Sequence, residues 1–167
     1  MQLTELTQRL ADLGAKPQHI GRITRAWLQG KPLDSGTRHQ KTENFLPLTV
    51  RQALPAIANE LDGLARLRSE HPGADGSARL LVELADKQMV ESVLLPRDGL
   101  CISSQVGCAV GCVFCMTGKS GLLRQLTSAE MVAQVALGRR FRPVKKVVFM
   151  GMGEPLANYK RVVAAVR

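Results

Sequence analysis

The apolar periodicity of this chain changes once, near residue 78, and that change governs what it can fold into. Before it, Leu3, Leu6, Leu10 and Leu13 recur at helical spacing, and Ile20, Ile23 and Trp27 do the same after Pro17. A polar stretch, "GKPLDSGTRHQKTEN", separates these two short helices from a longer helical pattern through Val50, Leu54, Ile57, Leu61, Leu64 and Leu67, interrupted near Pro55. "EHPGADGS" then has the proline and glycine density of a linker. Beyond it the period becomes two. Arg79 to Leu84 and Met89 to Leu95 read as strands joined at Asp86 to Gln88, with a second turn at Arg97 to Gly99 and a third extended run in "LCISSQV".

From residue 100 the order is strand, cysteine loop, helix, strand, helix. Thr127 and Glu130 in "TSAE" form a capping box ahead of a helix that buries Met131, Val132, Val135 and Ala136. "VVFM" suits a strand buried on both faces, and Tyr159 to Arg167 reads as a second helix. Such alternation predicts an α/β fold with a parallel sheet or barrel. Function on such scaffolds sits at the C-terminal strand ends, so the cysteine loop and the "GMGEP" loop are expected side by side.

"GCAVGCVFCMTGKSG" places Cys108, Cys112 and Cys115 in eight positions of a chain with four cysteines in all. A disulfide framework spreads an even number of cysteines through a small secreted chain, which this is not. Thiolates are soft ligands, and three of them can hold three irons of a 4Fe-4S cluster and leave the fourth iron open. A structural zinc site is the competing reading, but it wants four closed ligands, and His19, His39 and His71 all lie before the cluster. Cys101 is an awkward fourth ligand from within a strand. A redox CxxC at Cys112 and Cys115 would leave Cys108 without a role. "GKS" at Gly118 to Ser120 is not a phosphate loop, because Val113 stands where that pattern needs glycine.

In "GMGEP", Gly151 and Gly153 allow backbone to approach a ligand, and Glu154 can accept hydrogen bonds from a cationic group. Glu91 interrupts the apolar run "MVESVLL". Such a residue either lies on the wet face of a strand or, facing a closed site, has its pKa raised by burial and suits proton transfer.

The 167 residues are 45% hydrophobic and 22% charged, enough for one ordinary core and a small accessory unit. The start lacks a signal-peptide layout and no apolar run reaches membrane-spanning length, so a cytoplasmic protein with no membrane partner is expected. The net charge of +9 is uneven: residues 101 to 167 hold ten Lys and Arg against Glu130 and Glu154, whereas residues 1 to 100 hold 13 against 12 acidic ones. A polyanion such as RNA is the natural partner to suspect, the other reading being a solvated basic face.

CxxxCxxC followed by a Gly-rich strand end resembles the radical S-adenosylmethionine superfamily. The stretches "LCISSQVGCAVGCVFCMTG", "LTSAEMVAQV" and "VVFMGMGEPLAN" are similar to the RlmN/Cfr family of RNA adenosine methyltransferases, densely from about residue 80 to 160 and loosely over residues 1 to 75. The resemblance implies a partial radical SAM (β/α) barrel over 100–167, preceded by a helical accessory domain over 1–75 and a β-hairpin with its connection over 76–99. It implies a 4Fe-4S cluster on Cys108, Cys112 and Cys115 whose open iron takes S-adenosyl-L-methionine, with Gly153 and Glu154 contacting that cofactor. Reduction by an electron donor then yields a 5'-deoxyadenosyl radical. In the family this radical attacks a methyl group carried on a cysteine, and the carbon radical adds to C2 of adenosine, or C8 in the Cfr branch. Cys101 matches the cysteine that resolves the protein-RNA adduct through a transient disulfide, and Glu91 the proton acceptor. The implied substrates are 23S rRNA and, in some relatives, tRNA. No cysteine follows Cys115, so the methyl carrier and the later strands are missing and the chain is expected to be the N-terminal portion of a longer protein. Met116 in place of a usually small residue and "GLLRQLT" in place of "GFxRNLT" leave the RNA target open.

Overall fold

The computed structural model describes residues 1–35 and 45–167; His39 and most of the polar stretch around it lie outside the described residues. Three helices come first: α1 (Leu3–Asp12), α2 (Pro17–Leu28) and α3 (Leu48–Gly63). Each buries the stripe its spacing predicts, with Leu6 and Leu10, Ile23 and Trp27, and Val50, Leu54, Ile57 and Leu61 all inside. Pro17 occupies the first turn of α2, where its missing N–H costs nothing. Pro55 does not interrupt α3, contrary to the sequence reading; the helix runs through it, and the four buried side chains offset the lost backbone bond.

The helical pattern stops earlier than its leucines suggest. Ala65–Pro72 is a strand, β1, and the glycine-rich stretch after it is a tight turn in which Asp75 accepts from the Ser77 amide at 3.0 Å. β1 pairs antiparallel along β2 (Ala78–Leu84), with a register shift between Leu67 and Ser69. Its charged, exposed side chains suit a sheet edge, which they keep from further pairing. β2 and β3 (Met89–Leu95) alternate strictly, burying Leu80, Val82, Leu84, Val90 and Leu94. Lys87, Arg97 and Asp98 adopt positive φ in the two turns that follow β2 and β3.

β4 (Gly99–Cys101) pairs antiparallel with β3 and parallel with β7 (Lys146–Val148), completing the sheet order β1-β2-β3-β4-β7. β5 (Gln105–Gly107) and β6 (Leu122–Gln125) form a separate two-stranded ladder around the cysteine loop. Between β6 and β7 lies α4 (Ser128–Phe141), and α5 (Tyr159–Val166) follows β7. The fold is therefore α/β, and its β4-α4-β7-α5 order is the start of a (β/α) barrel. The capping box is formed: Thr127 Oγ1 accepts from the Glu130 amide at 3.2 Å and Glu130 accepts from the Thr127 amide at 2.8 Å. α4 is almost wholly buried, with Val132 half-buried, and Gly138 lets Leu100 pack directly on the helix backbone. β7 is not buried on both faces as expected. Val147 and Phe149 are half-buried and Met150 is 80% exposed, because among the described residues β7 has a neighbour only on the β4 side.

One continuous core joins the helical segment to the sheet. Ser128 at the start of α4 accepts from the Leu3 amide at 3.0 Å and donates to Gln2 at 2.9 Å. Arg124 on β6 bridges two elements, Asp86 in the β2–β3 turn at 2.6 Å and buried Glu130 on α4 at 2.8 Å. The Arg124 hydrogen bond holds the Asp86 carboxyl below its ordinary value of 3.8. A depressed acid stabilises the fold above that ordinary value and loses its contribution as pH falls through the lower, folded one. Arg124→Met is expected to cost about 1–3 kcal/mol at neutral pH, since it leaves a buried carboxylate unpaired. It should also flatten the fall in melting temperature between about pH 5 and pH 3 relative to the parent. Thermal melts across that range check both, and an acid limb unchanged by the substitution would contradict the bridge.

Candidate active site

Because β4 and β7 run parallel, the segments that leave them emerge at one end of the sheet, and their backbones continue to pair there. The Ile102 amide donates to Val148 O at 2.9 Å, Gly151 to Ile102 O at 3.1 Å, and Ser104 to Met152 O at 2.8 Å. Such contact needs glycine. A Cβ on Gly151 would sit 2.8 Å from Ile102 O and Ser103 Oγ, and Gly153, at φ +97°, would drive one into the side chain of Gln105. Ser103 Oγ accepts from the Met152 amide at 2.8 Å and donates to Glu91 O at 2.5 Å. Gln134, fully buried on α4, clamps the same residue: its Oε1 accepts from the Ser103 amide and from Ser92 Oγ, each at 2.9 Å, and its Nε2 donates to Ser103 O at 3.0 Å. Asn158 donates to Ser104 O and Leu126 O, both at 2.9 Å. Sequence reasoning missed Ser103, Gln134 and Asn158. The available signal was polar residues at positions that an apolar period would bury.

The cysteine loop leaves the sheet through the β5–β6 ladder, not directly from β4 as expected. The Cys108 amide donates to Gly121 O at 3.0 Å to close it, and Gly107, at φ +74°, could not carry a Cβ without striking that same oxygen. Cys108 is buried, Cys115 half-buried and Cys112 exposed, and all four cysteines are free. Cys115 caps a short 3-10 turn, Met116–Gly118. Hydrogen bonds from the Thr117 hydroxyl and from the Thr117 and Gly118 amides hold its thiol below the ordinary range. Among the described residues no three His, Cys, Asp or Glu side chains converge into a metal-holding group. The loop thus carries three thiols, Cys112 and Cys115 flanking one turn and Cys108 just past the end of β5, without closing them round a point. Their chemistry suits a group bound through thiolate sulfur, and Cys101 stands outside the set.

Cys101 lies on β4 opposite Val93, with Glu91 two residues along the same face of β3. Burial pushes the Cys101 thiol up, partly countered by the Met150 amide. Glu91 is not enclosed: its side chain is 39% exposed and pairs with Arg79 at 3.1 Å. Glu154 precedes a 3-10 turn, Pro155–Asn158, and one carboxylate oxygen accepts from the Leu156 amide at 2.9 Å. A cleft of about 320 Å3, lined by Met89, Val106, Met116, Ser120 and Met152 among others, joins the hairpin turn, the cysteine loop and the GMGEP loop.

The basic run "RRFRPVKK" sits at the opposite end of β7 and is largely engaged in holding the fold. Arg139 donates to Leu28 O at 2.9 Å, Arg140 pairs with Asp62, Arg142 donates to Gly76 O at 2.8 Å and Lys145 pairs with Asp98 at 2.8 Å. The charge excess read from the sequence therefore does not mark a free basic face there. Lys119 in the cysteine loop and Lys160 in the first turn of α5 are exposed on the strand-end side.

Residues 102–167 match the model of the Radical SAM superfamily. Over 99% of its length the chain is 89% identical to a protein of Ectopseudomonas mendocina named "Probable RNA methyltransferase", of which it covers 48%. A protein of the same name from Chromobacterium violaceum is 68% identical over the whole chain, which covers 47% of it. The crystal structure of a radical SAM methyltransferase from Sphaerobacter thermophilus superposes with a TM-score of 0.73 at 36% identity, covering 100% of this chain and 50% of that one. The chain spans about half the length of the curated relatives it matches.

Two glycines of the cysteine loop separate conformational strain from collision. Gly107→Ala meets both a positive φ and a backbone oxygen and is expected to cost about 3 kcal/mol. Gly111→Ala, with φ +68° but open space around it, should cost about 1 kcal/mol. Equal denaturant midpoints for the two variants would contradict the closure described here.

Proposed function

We propose, from the match of residues 102–167 to the model of the Radical SAM superfamily, that this chain is the N-terminal part of a radical SAM enzyme methylating an adenosine base in RNA. The observation that carries this reading is the pairing of the β4 and β7 exit segments, with a three-thiol loop on one and the Gly153–Glu154 turn on the other. RNA as the substrate class rests on the name of the relatives. Methylation at C2 or C8, in 23S rRNA and in some relatives tRNA, rests on the RlmN/Cfr resemblance, as do a cytoplasmic location and the division at residues 75 and 99.

In this reading Cys108, Cys112 and Cys115 hold a 4Fe-4S cluster, and Gly153 and Glu154 hold S-adenosylmethionine. When bound, the cluster with an external electron donor supplies radical chemistry, which suits an aromatic carbon too weakly nucleophilic for ordinary methyl transfer. The residues of this chain do the remaining work. Gly153, with Gln105 packed where its side chain would lie, holds the turn at φ +97°, and the Glu154 carboxylate keeps lone pairs for an ammonium beyond the Leu156 bond. Cys101, whose thiol is raised by burial, keeps its proton at neutral pH until a partner sulfur is presented. Glu91, paired with Arg79 at 3.1 Å, is the proton acceptor on the same sheet face. Lys119 and Lys160 offer exposed positive charge to RNA phosphates at the strand-end side.

Anaerobically purified protein is expected to hold about four irons and four sulfides per chain. Alanine at Cys108, Cys112 or Cys115 should abolish this, and alanine at Cys101 should leave it intact. Metal and acid-labile sulfide analysis checks the set. Stoichiometric zinc, or full iron retained after Cys112→Ala, would overturn the reading.

A further inference from the structure

The turn that would hold the cofactor is attached to the base of the cysteine loop by a chain of two side-chain amides. Gln105, on β5, is 1% exposed and stands directly opposite Gln125 on β6. The Glu154 amide donates to Gln105 Oε1 at 2.7 Å, Gln105 Nε2 donates to Gln125 Oε1 at 3.0 Å, and Gln125 Nε2 donates to Ala157 O at 3.2 Å. Both ends of this chain are backbone groups of fixed character, an N–H at Glu154 and a C=O at Ala157. The polarity of both carboxamides follows from them, and only residues with an acceptor and a donor on one side chain can fill the two positions. The Gln105 side chain also packs where a Cβ on Gly153 would lie. It therefore sets both the hydrogen bonding and the steric position of the turn.

We propose that Gln105 and Gln125 are positioning residues that set the Gly153–Glu154 turn against the cysteine loop, so that the geometry of the loop is transmitted to cofactor affinity. The inference rests on the functional reading above. Ser103 and Gln134 fix the same loop through Met152, one residue earlier, so removing the glutamine chain loosens the turn without detaching the loop.

Two readouts test it. Amide hydrogen exchange in the cofactor-free protein reads the attachment itself. Gln105→Leu should speed exchange at the Glu154 amide about tenfold, and Gln105→Glu, which keeps the acceptor, should leave that amide protected. Calorimetric titration of the anaerobically reconstituted protein with S-adenosylmethionine reads the consequence. Gln105→Leu, Gln105→Glu and Gln125→Leu should each weaken binding about tenfold at unchanged iron content, because a glutamate at position 105 cannot donate to Gln125. Gln125 is half-buried, so its variant serves if the Gln105 variants fold poorly. Unchanged exchange at Glu154 in Gln105→Leu, or affinity equal to the parent in all variants, would overturn the proposal. So would exchange accelerated evenly through α4 and β3, which marks general support and not positioning. A parent that binds no S-adenosylmethionine would count against the functional reading instead, while the exchange arm still decides whether the glutamine chain holds the turn.

Discussion

The contact on which the rest depends is backbone against backbone, where residues 102–105 leave β4 and residues 149–153 leave β7. Parallel strands pair over three residues each, too little to hold two long loops in register. The amide bonds from Ile102, Gly151 and Ser104 extend the ladder past the strands, and two glycines make the approach possible. Around it lies a buried polar network of Ser92, Ser103, Gln134 and Asn158, each supplying a partner to a backbone group or to another member. Satisfied polar groups in a buried site fix one arrangement, because every alternative leaves a donor or acceptor unpaired. The strand ends thus become a platform from which the cysteine loop and the GMGEP turn project together.

That platform was legible in the sequence only in outline. The capping box at Thr127 and Glu130, the alternation of residues 78 to 84 and 89 to 95, and the adjacency of the two loops could be read because each rests on local chemistry or on parallel connectivity. β1 could not, because "ARLRSEHP" has no apolar alternation and becomes a strand through its ladder with β2. Pro55 misled in the other direction: its local cost is overridden by four buried neighbours on α3. The glutamines of the site were invisible for a different reason. Gln105, Gln125 and Gln134 matter through partners 20 to 49 positions away, and no periodicity records such pairs.

Charge was the weakest guide. The excess of Lys and Arg after residue 100 points to a polyanion, yet four of the cations between Arg139 and Lys145 hold the helical segment and the turns to the sheet. Net charge counts groups without regard to what they face. The positive charge relevant to RNA in the proposed function is the smaller set on the strand-end side, and its steering effect falls with ionic strength.

The proposed chemistry needs thiolates that can bind iron and one metal position kept open to a small ligand. The structure supplies three free cysteines on a glycine-shaped loop, and beside it a turn whose carboxylate retains acceptor capacity. Electron paramagnetic resonance of the anaerobically reconstituted and reduced protein, with and without S-adenosylmethionine, tests this most directly. The account predicts that the cofactor shifts the cluster's signal, as a new ligand on an open iron must. A signal indifferent to S-adenosylmethionine would mean that no metal position is open, and would contradict the assignment.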